Sequence, residues 1–396
     1  PGLDPADVGL SLVSTRALFD QRAVVHGRDR GELLAGLGAL AAGERARNAA
    51  MGRAQRGKLV FLFTGQGAQH AGMGAGLYEG SPPFAAAFDE VCAEFDQHLD
   101  QPLAEVVLGR RADAGALLER TAVTQPALFA LEVALYRLME SLDVIPQLMV
   151  GHSIGELAAA HLADVLTLRH ACELVAARAR LMGALPSGGA MLALEASEIE
   201  AGQAISDLQD VSIAAVNAPR AVVVSGPSQT LDELETRFEH GRAKRLRVSH
   251  AFHSSLMDPM LEQYEALAAQ IDYGDPKIPI ISTVTGEPLT PEQARDPHYW
   301  ATQARDTVRF GDAISTAAEH GARTIIELGP DAVLCAAAAA TLPDELQITI
   351  APTLRPKRPE HETLTSALAC AHTTTATVDW ATLYPTARPV DLPTYA

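Results

Sequence analysis

The chain lacks the marks of several common protein classes. Its four cysteines, Cys92, Cys172, Cys335 and Cys370, are scattered over 396 residues without a C-x-x-C pair. Neither a disulfide framework nor a zinc site follows from them, and buried or incidental reduced thiols are expected. No uninterrupted apolar run approaches the roughly eighteen residues that span a bilayer, and the first residues do not read as a signal peptide. Together these absences lead to the expectation of a cytoplasmic protein. Positive charge is also scarce: 31 Lys and Arg stand against 49 Asp and Glu, for a formal net charge of −18. Nucleic acid and anionic membrane are poor partners for such a surface, because both require clustered positive charge. There is no internal repeat, and biased tracts are confined to residues 336–340 and 373–375. The chain opens on Pro1 and not on methionine, which fits a piece of a longer polypeptide.

What is present is apolar and periodic. A hydrophobic content of 47% over this length supports two or three domains with substantial cores. Residues 1 to about 55 carry a strand pattern at 21–27 and an amphipathic helix at 30–40. From Lys58 onward, strands at 59–63 and 147–150 alternate with long Ala- and Leu-rich helical stretches, the pattern of an α/β domain with a mostly parallel sheet. Between about 187 and 249 the pattern shortens to strands at 190–194, 211–215, 221–225 and 245–248, with helices at 196–206 and 228–239. Four strands and two helices in that order predict a small ferredoxin-like subdomain inserted into the larger lobe. The large lobe resumes with strands at 278–284 and 323–328 and ends near Pro352, after which the chain turns polar and Pro-rich. The expected fold is therefore an α/β-hydrolase-like lobe, an inserted ferredoxin-like subdomain and an N-terminal α+β domain. A small-molecule site is expected in the cleft between the two lobes.

The most informative segment is Val150-Gly151-His152-Ser153-Ile154-Gly155-Glu156. It places a serine in a Gly-x-Ser-x-Gly frame between an apolar strand and a helix-forming run, the pattern of a nucleophile elbow. Glycines let the backbone turn sharply, and the helix N-terminus stabilises negative charge beside the hydroxyl, so the pattern points to acyl transfer through a serine ester. Three further segments complete the set. Val60-Phe61-Leu62-Phe63-Thr64 runs into Gly65-Gln66-Gly67, a turn able to aim a backbone N–H at a developing oxyanion. Arg178 lies 25 residues after Ser153 in an apolar helical pattern. Ser249-His250-Ala251-Phe252-His253-Ser254 supplies a histidine 100 residues after the serine. No acidic third member of a triad is evident.

In this order and at these spacings, the four segments resemble the acyltransferase domain of modular type I polyketide synthases, within the malonyl-CoA:acyl-carrier-protein transacylase family. The similarity continues through Thr124-Gln125-Pro126-Ala127-Leu128-Phe129, Val216-Asn217-Ala218-Pro219-Arg220, Tyr299-Trp300 and Glu327-Leu328-Gly329-Pro330, and covers nearly the whole chain. The resemblance implies a ping-pong transfer of malonyl from malonyl-CoA to the phosphopantetheine thiol of an acyl carrier protein, with no metal or redox cofactor. It implies Ser153 as nucleophile, His253 as general base and the N–H groups of Gln66 and Ile154 as the oxyanion hole. Arg178 would bind the malonyl carboxylate through paired hydrogen bonds. A backbone carbonyl, expected from Gln303, would orient the histidine, while His152 would point away and pack.

The stretch His250-Ala251-Phe252-His253 accompanies malonyl selectivity in that family, whereas methylmalonyl-selective members usually read Tyr-Ala-Ser-His. Phe252 is expected to crowd the space of an α-methyl group. Ile154 stands where many methylmalonyl-selective relatives carry glutamine. The implied division is 1–57 as the linker from an adjacent ketosynthase domain, 58–186 with 250–354 as the large lobe, 187–249 as the small one, and 355–396 as a following linker. The basic run Arg242-Ala243-Lys244-Arg245-Leu246-Arg247 is either a carrier docking patch or a charged strand edge. A second reading keeps the reaction and changes the extender unit. A serine hydrolase would show Ser-Asp-His order and a HGGG-like loop, both absent. An inactive scaffold is countered by the intact Ser153, Arg178 and His253.

Overall fold

A computed structural model of the chain describes residues 2–238 and 241–394. An N-terminal helix, Pro5–Thr15, starts on the Asp4 side chain with proline in its first turn, an arrangement that suits a helix start. It precedes an antiparallel ribbon in which β1 (Gln21–Val25) pairs with β2 (Ala49–Arg53) across the helix Arg30–Ala41. Neither that first helix nor β2 is predicted from the sequence.

The chain then lays down β3 (Lys58–Phe63) and β4 (Leu148–Gly151), passes through β5 (Gly189–Leu194), β6 (Ser212–Ala218), β7 (Ala221–Pro227) and β8 (Ala243–Arg245), and returns through β9 (Ile280–Ile281), β10 (Ala322–Leu328) and β11 (Thr349–Pro352). Two sheets result. In the larger, the order is β11-β10-β3-β4-β9 and every pairing is parallel. Residues 59–63 and 148–150 are buried throughout, as expected of central strands covered by helices on both faces. The register sets Phe63 opposite both Leu328 and Gly151. Three strands thus end level, and the loops that leave them lie side by side.

In the smaller sheet the order is β6-β7-β5-β8, all antiparallel, with helices Glu198–Ile205 and Ser228–Thr236 between strands. This β-α-β-β-α-β succession is the split βαβ arrangement; the predicted end of its second helix at Glu239 lies outside the described residues. Side chains alternate along β5. Ala190, Leu192 and Leu194 pack with Val222, Val224, Leu231 and Leu234, while Met191 and Ala193 join the main core. The small sheet therefore has a core of its own and offers its other face to the large lobe.

Three expectations are corrected. The strand predicted at 245–248 is β8 at Ala243–Arg245, because the chain turns just beyond it, with the Val248 N–H donating to the Leu246 carbonyl. In this edge strand Arg245 is paired with Asp232 and with the Ser228 carbonyl, and Arg242, just before the strand, donates to the Glu195 carbonyl, which fits the charged-edge reading of the basic run. The strand predicted at 278–284 contracts to Ile280–Ile281, since Ser282 and Gly286, at φ 80°, close a turn. The stretch after Arg355 is not merely polar: Glu360–Thr374 is a helix packed on β1, β2, β10 and β11. Its threonines hid it, because they lower helix propensity; in the helix Thr373 and Thr374 bond back to the carbonyls of Ala369 and Cys370. Beyond it the chain lies along the first helix, with the Arg388 N–H on Asp7 and the Val390 N–H on Ser11. Among the described residues no helix is long and apolar enough to cross a membrane.

Candidate active site

Ser153 follows β4 and holds φ 54°, ψ −111°, a left-handed conformation that is strained for a residue with a side chain. Close packing imposes it. A Cβ on Gly151 would lie 2.2 Å from the Glu156 nitrogen, and one on Gly155 would lie 2.4 Å from the Phe63 carbonyl oxygen, so only glycine fits at either place. The helix Ile154–Leu162 starts immediately, and the N–H of Ile154, its first residue, has no acceptor within the helix. Beneath the turn lies Glu156, fully buried, its carboxyl 3.0 Å from the Thr283 N–H, 2.6 Å from the Thr283 hydroxyl and hydrogen-bonded by the Tyr299 hydroxyl. Burial pushes the Glu156 carboxyl above the usual range.

Two side chains meet the Ser153 hydroxyl. His253 Nε2 lies 2.7 Å from Oγ, and Arg178 Nη2 donates to the same oxygen at 3.0 Å. His253 Nδ1 is 2.8 Å from the Asp306 carbonyl oxygen. A carbonyl can only accept, so Nδ1 carries the proton and Nε2 presents its lone pair to the serine. Burial, together with the Arg178 charge, drives the pKa of His253 down to about 3, and the imidazole is neutral over the physiological range. Arg178 is 1% exposed. Among the described residues it has no carboxylate partner and its Nε has no hydrogen bond; burial brings its pKa down to about 10. A buried cation with no carboxylate in contact, only Glu156 at a distance, is expensive, and here it faces the serine.

The orienting carbonyl expected from Gln303 comes from Asp306. Gln303 ends the helical turn that begins at Pro297, with its N–H on the Tyr299 carbonyl, and the chain reaches His253 only three residues later. The Gln303 side chain instead donates from Nε2 to the Ser153 carbonyl at 2.6 Å, which ties down the nucleophile turn. His152 points away from the serine as expected, with Nε2 on the Asn217 side chain at 2.9 Å and its ring 5.7 Å from that of Phe310.

The Gly65-Gln66-Gly67 turn packs against the same residue, since a Cβ on Gly65 would lie 2.7 Å from His152 Nδ1. Thr64, just before the turn, donates to the buried Glu132 carboxyl at 2.7 Å. His250 is held between the Leu185 carbonyl and the Ser249 hydroxyl, and its ring lies 6.1 Å from that of the buried Phe252. Ser153, His253, Arg178 and Gln303 thus meet at the carboxyl end of β4, with the Gly65-Gln66-Gly67 turn packed on His152 beside them. Sequence reasoning missed Asp306 and the Glu156, Thr283 and Tyr299 network. An acidic residue inside the otherwise apolar run 154–160 was the available signal for Glu156, whereas nothing local distinguishes the carbonyl of Asp306. No group of potential metal ligands occurs among the described residues.

A family model described as "Acyl transferase domain" matches residues 60–378. Polyketide synthase GfsB of Streptomyces halstedii is 47% identical over 408 aligned residues, which cover 100% of this chain and 7% of that protein. Mycoketide-CoA synthase of Mycobacterium tuberculosis is 47% identical over 398, covering 100% and 9%. The chain spans less than a tenth of the length of either. Among solved structures, the acyltransferase domain from the second module of the salinomycin polyketide synthase superposes with a TM-score of 0.85 at 47% identity, over 97% of this chain and 90% of that one. Malonyl-CoA:acyl carrier protein transacylase from Xanthomonas oryzae gives 0.68 at 29% identity, over 76% and 96%.

Proposed function

The chain belongs to the acyl transferase domain family, and from that premise we propose that it moves a malonyl unit from malonyl-CoA to the phosphopantetheine thiol of an acyl carrier protein, through an ester on Ser153, in polyketide synthesis. The observation that carries this reading is the Ser153 hydroxyl lying 2.7 Å from His253 Nε2 and 3.0 Å from an unpaired buried guanidinium. As Ser153 Oγ bonds to the thioester carbon, His253 Nε2 takes its proton, and the N–H groups of Ile154 and Gln66 hold the oxyanion. Collapse breaks the C–S bond, and the imidazolium returns the proton to the departing coenzyme A sulfur. In the second half the carrier's thiol gives its proton to His253 and attacks the ester, and the proton passes back to Ser153. Acid–base and nucleophilic chemistry suffice, so the reaction asks for no metal or redox cofactor.

Arg178 selects the acyl group. A malonyl carboxylate supplies the anion the guanidinium lacks, whereas acetyl leaves it unpaired in a dry site. The same pairing offsets the charge that holds down the His253 pKa, so the right substrate makes the base stronger. Phe252, buried beside His250, limits room at the α-carbon and favours malonyl over methylmalonyl or larger units. With this reading go residues 1–57 as the linker from a preceding ketosynthase domain, 58–186 and 250–354 as the catalytic lobe, 187–249 as the ferredoxin-like lobe, 355–396 as the following linker, and a cytoplasmic location.

Intact mass after incubation with malonyl-CoA is the test. A malonyl adduct is expected on the native chain and none on Ser153→Ala. Labelling retained in that variant would remove the nucleophile from the scheme, and free malonate without an adduct would indicate a hydrolase.

A further inference from the structure

Residues 303–309 run from the serine turn and the base to the small lobe. Gln303 holds the Ser153 carbonyl, and the Asp306 carbonyl holds His253. The next residue, Thr307, donates its hydroxyl to the Ile213 carbonyl at 2.6 Å. Val308 then bridges β6, donating to the Ala214 carbonyl and accepting from the Val216 N–H, both at 2.9 Å. The Arg309 guanidinium spans both carboxylate oxygens of Glu198, at 3.0 and 3.1 Å, on the first residue of the small-lobe helix Glu198–Ile205. Its backbone N–H returns to the Thr283 carbonyl at 2.6 Å, beside the Glu156 network under the serine. On the serine's own side, His152 is bonded to Asn217, which also belongs to β6. One strand of the small lobe is thus a common reference for the residue next to the nucleophile and for the carbonyl that orients the base.

We propose that β6 is the positioning element for proton transfer between Ser153 and His253, acting through Thr307 and Val308 on the base and through Asn217 on the serine turn, with the Arg309–Glu198 pair as its outer fastening. The proposal rests on the reading of Ser153 and His253 given above. Only one peptide bond separates the Asp306 carbonyl from Thr307, so a shift of β6 relative to the large sheet carries that carbonyl with it. The His253 ring then rotates away from a 2.7 Å contact. Arg178, Ile154 and the Gly65-Gln66-Gly67 turn sit on large-lobe elements and keep their places. A loosened β6 therefore slows the chemical step and leaves binding of the malonyl group nearly untouched, and whatever moves the small lobe regulates the rate.

The experiment follows Ser153 acylation by intact mass in rapid-quench mixtures of the chain with malonyl-CoA, for the native chain, Thr307→Val, Thr307→Ser and Glu198→Gln. A misplacement of this kind costs about tenfold or more in rate, so Thr307→Val and Glu198→Gln are expected to lower the saturating rate by that factor. Their half-saturating concentrations should stay within about twofold of native, the mark of an interaction that acts in the chemical step. Thr307→Ser, which keeps the hydroxyl, is expected to restore most of the rate. Native rates in a folded Thr307→Val, or a raised half-saturating concentration at an unchanged rate, would overturn the proposal. If Glu198→Gln does not fold, the Val and Ser pair at 307 decides alone. Failure of the native chain to acylate at all would instead sink the reading of the site, a separate outcome.

Discussion

The turn that carries Ser153 and the segment that orients His253 face each other across 2.7 Å, and they are held by different means. On the serine side the restraint is backbone against backbone: Gly151 against the Glu156 nitrogen, Gly155 against the Phe63 carbonyl, and the His152 N–H on the Phe63 carbonyl. Neither glycine leaves room for a Cβ, so the turn itself changes little unless the strand and helix separate, and the side-chain bonds from Gln303 and to Asn217 add to that restraint. On the base side, hydrogen bonds link His253 to Asp306 and Thr307 to Ile213, groups 53 and 94 residues apart in the chain. Each can lengthen by tenths of an ångström without disrupting a core. Damage to the first side should therefore register as lost fold, and damage to the second as altered rate or choice.

The sharpest way to break that contrast is Gly155→Ala. With its Cβ forced to 2.4 Å from a backbone oxygen, this variant is expected to lose acylation altogether and about 1–3 kcal/mol of stability or more, read from thermal melting. A variant that melts like the native chain and acylates normally would show that the turn has slack.

Arg178→Ala comes next. A charge-assisted pair contributes about 1.5–3 kcal/mol, so malonyl transfer should fall by about 10- to 150-fold in kcat/KM while acetyl transfer does not fall. The pH profile should move as well. In the native chain His253, at about 3, stays neutral through mildly acidic pH, and the rate should not decline on the acid side until about pH 4. Removing the cation takes away the second-largest cause of that depression, after burial, so the acid limb should shift upward toward the ordinary histidine value of about 6.5. A limb that stays put would show that burial alone sets the base.

The smallest expected effect tests choice on the base side. His250→Tyr with Phe252→Ser should raise the methylmalonyl-to-malonyl ratio of kcat/KM by about tenfold, within the roughly 10- to 200-fold that one methyl group can contribute. An unchanged ratio in a folded, active double variant would mean that the pair marks selectivity without causing it.

What could be read from the chain follows the same division. The serine side is contiguous: strand, Gly151, Ser153, Gly155 and helix stand within a few residues, so local pattern implied the turn. The central strands were equally legible, because burial on both faces leaves an unbroken apolar run at 59–63. The base side is assembled from distant segments through main-chain carbonyls, and a carbonyl carries no mark in the sequence. Gln303 was therefore placed near the site with the wrong task. β2 and the helix Glu360–Thr374 were missed for a related reason. Ala49-Ala50-Met51-Gly52-Arg53 has no strand signature alone. It becomes a strand by pairing with β1 under that helix, where Gly52 leaves room for the Thr373 carbonyl.

That last contact has a consequence for the order in which the molecule assembles on the ribosome. Arg22 of the ribbon donates to the His372 carbonyl, 350 residues further along the chain. At roughly 5–20 residues per second, the ribbon is made about 20–70 s before the helix that covers it. The serine turn draws its later partners from Thr283, Tyr299 and Gln303, all made before the helix Glu360–Thr374, whereas the ribbon must wait, half-covered, for that helix. Nascent molecules halted before residue 360 should thus already hold a formed elbow while the ribbon at 21–53 remains open to proteases.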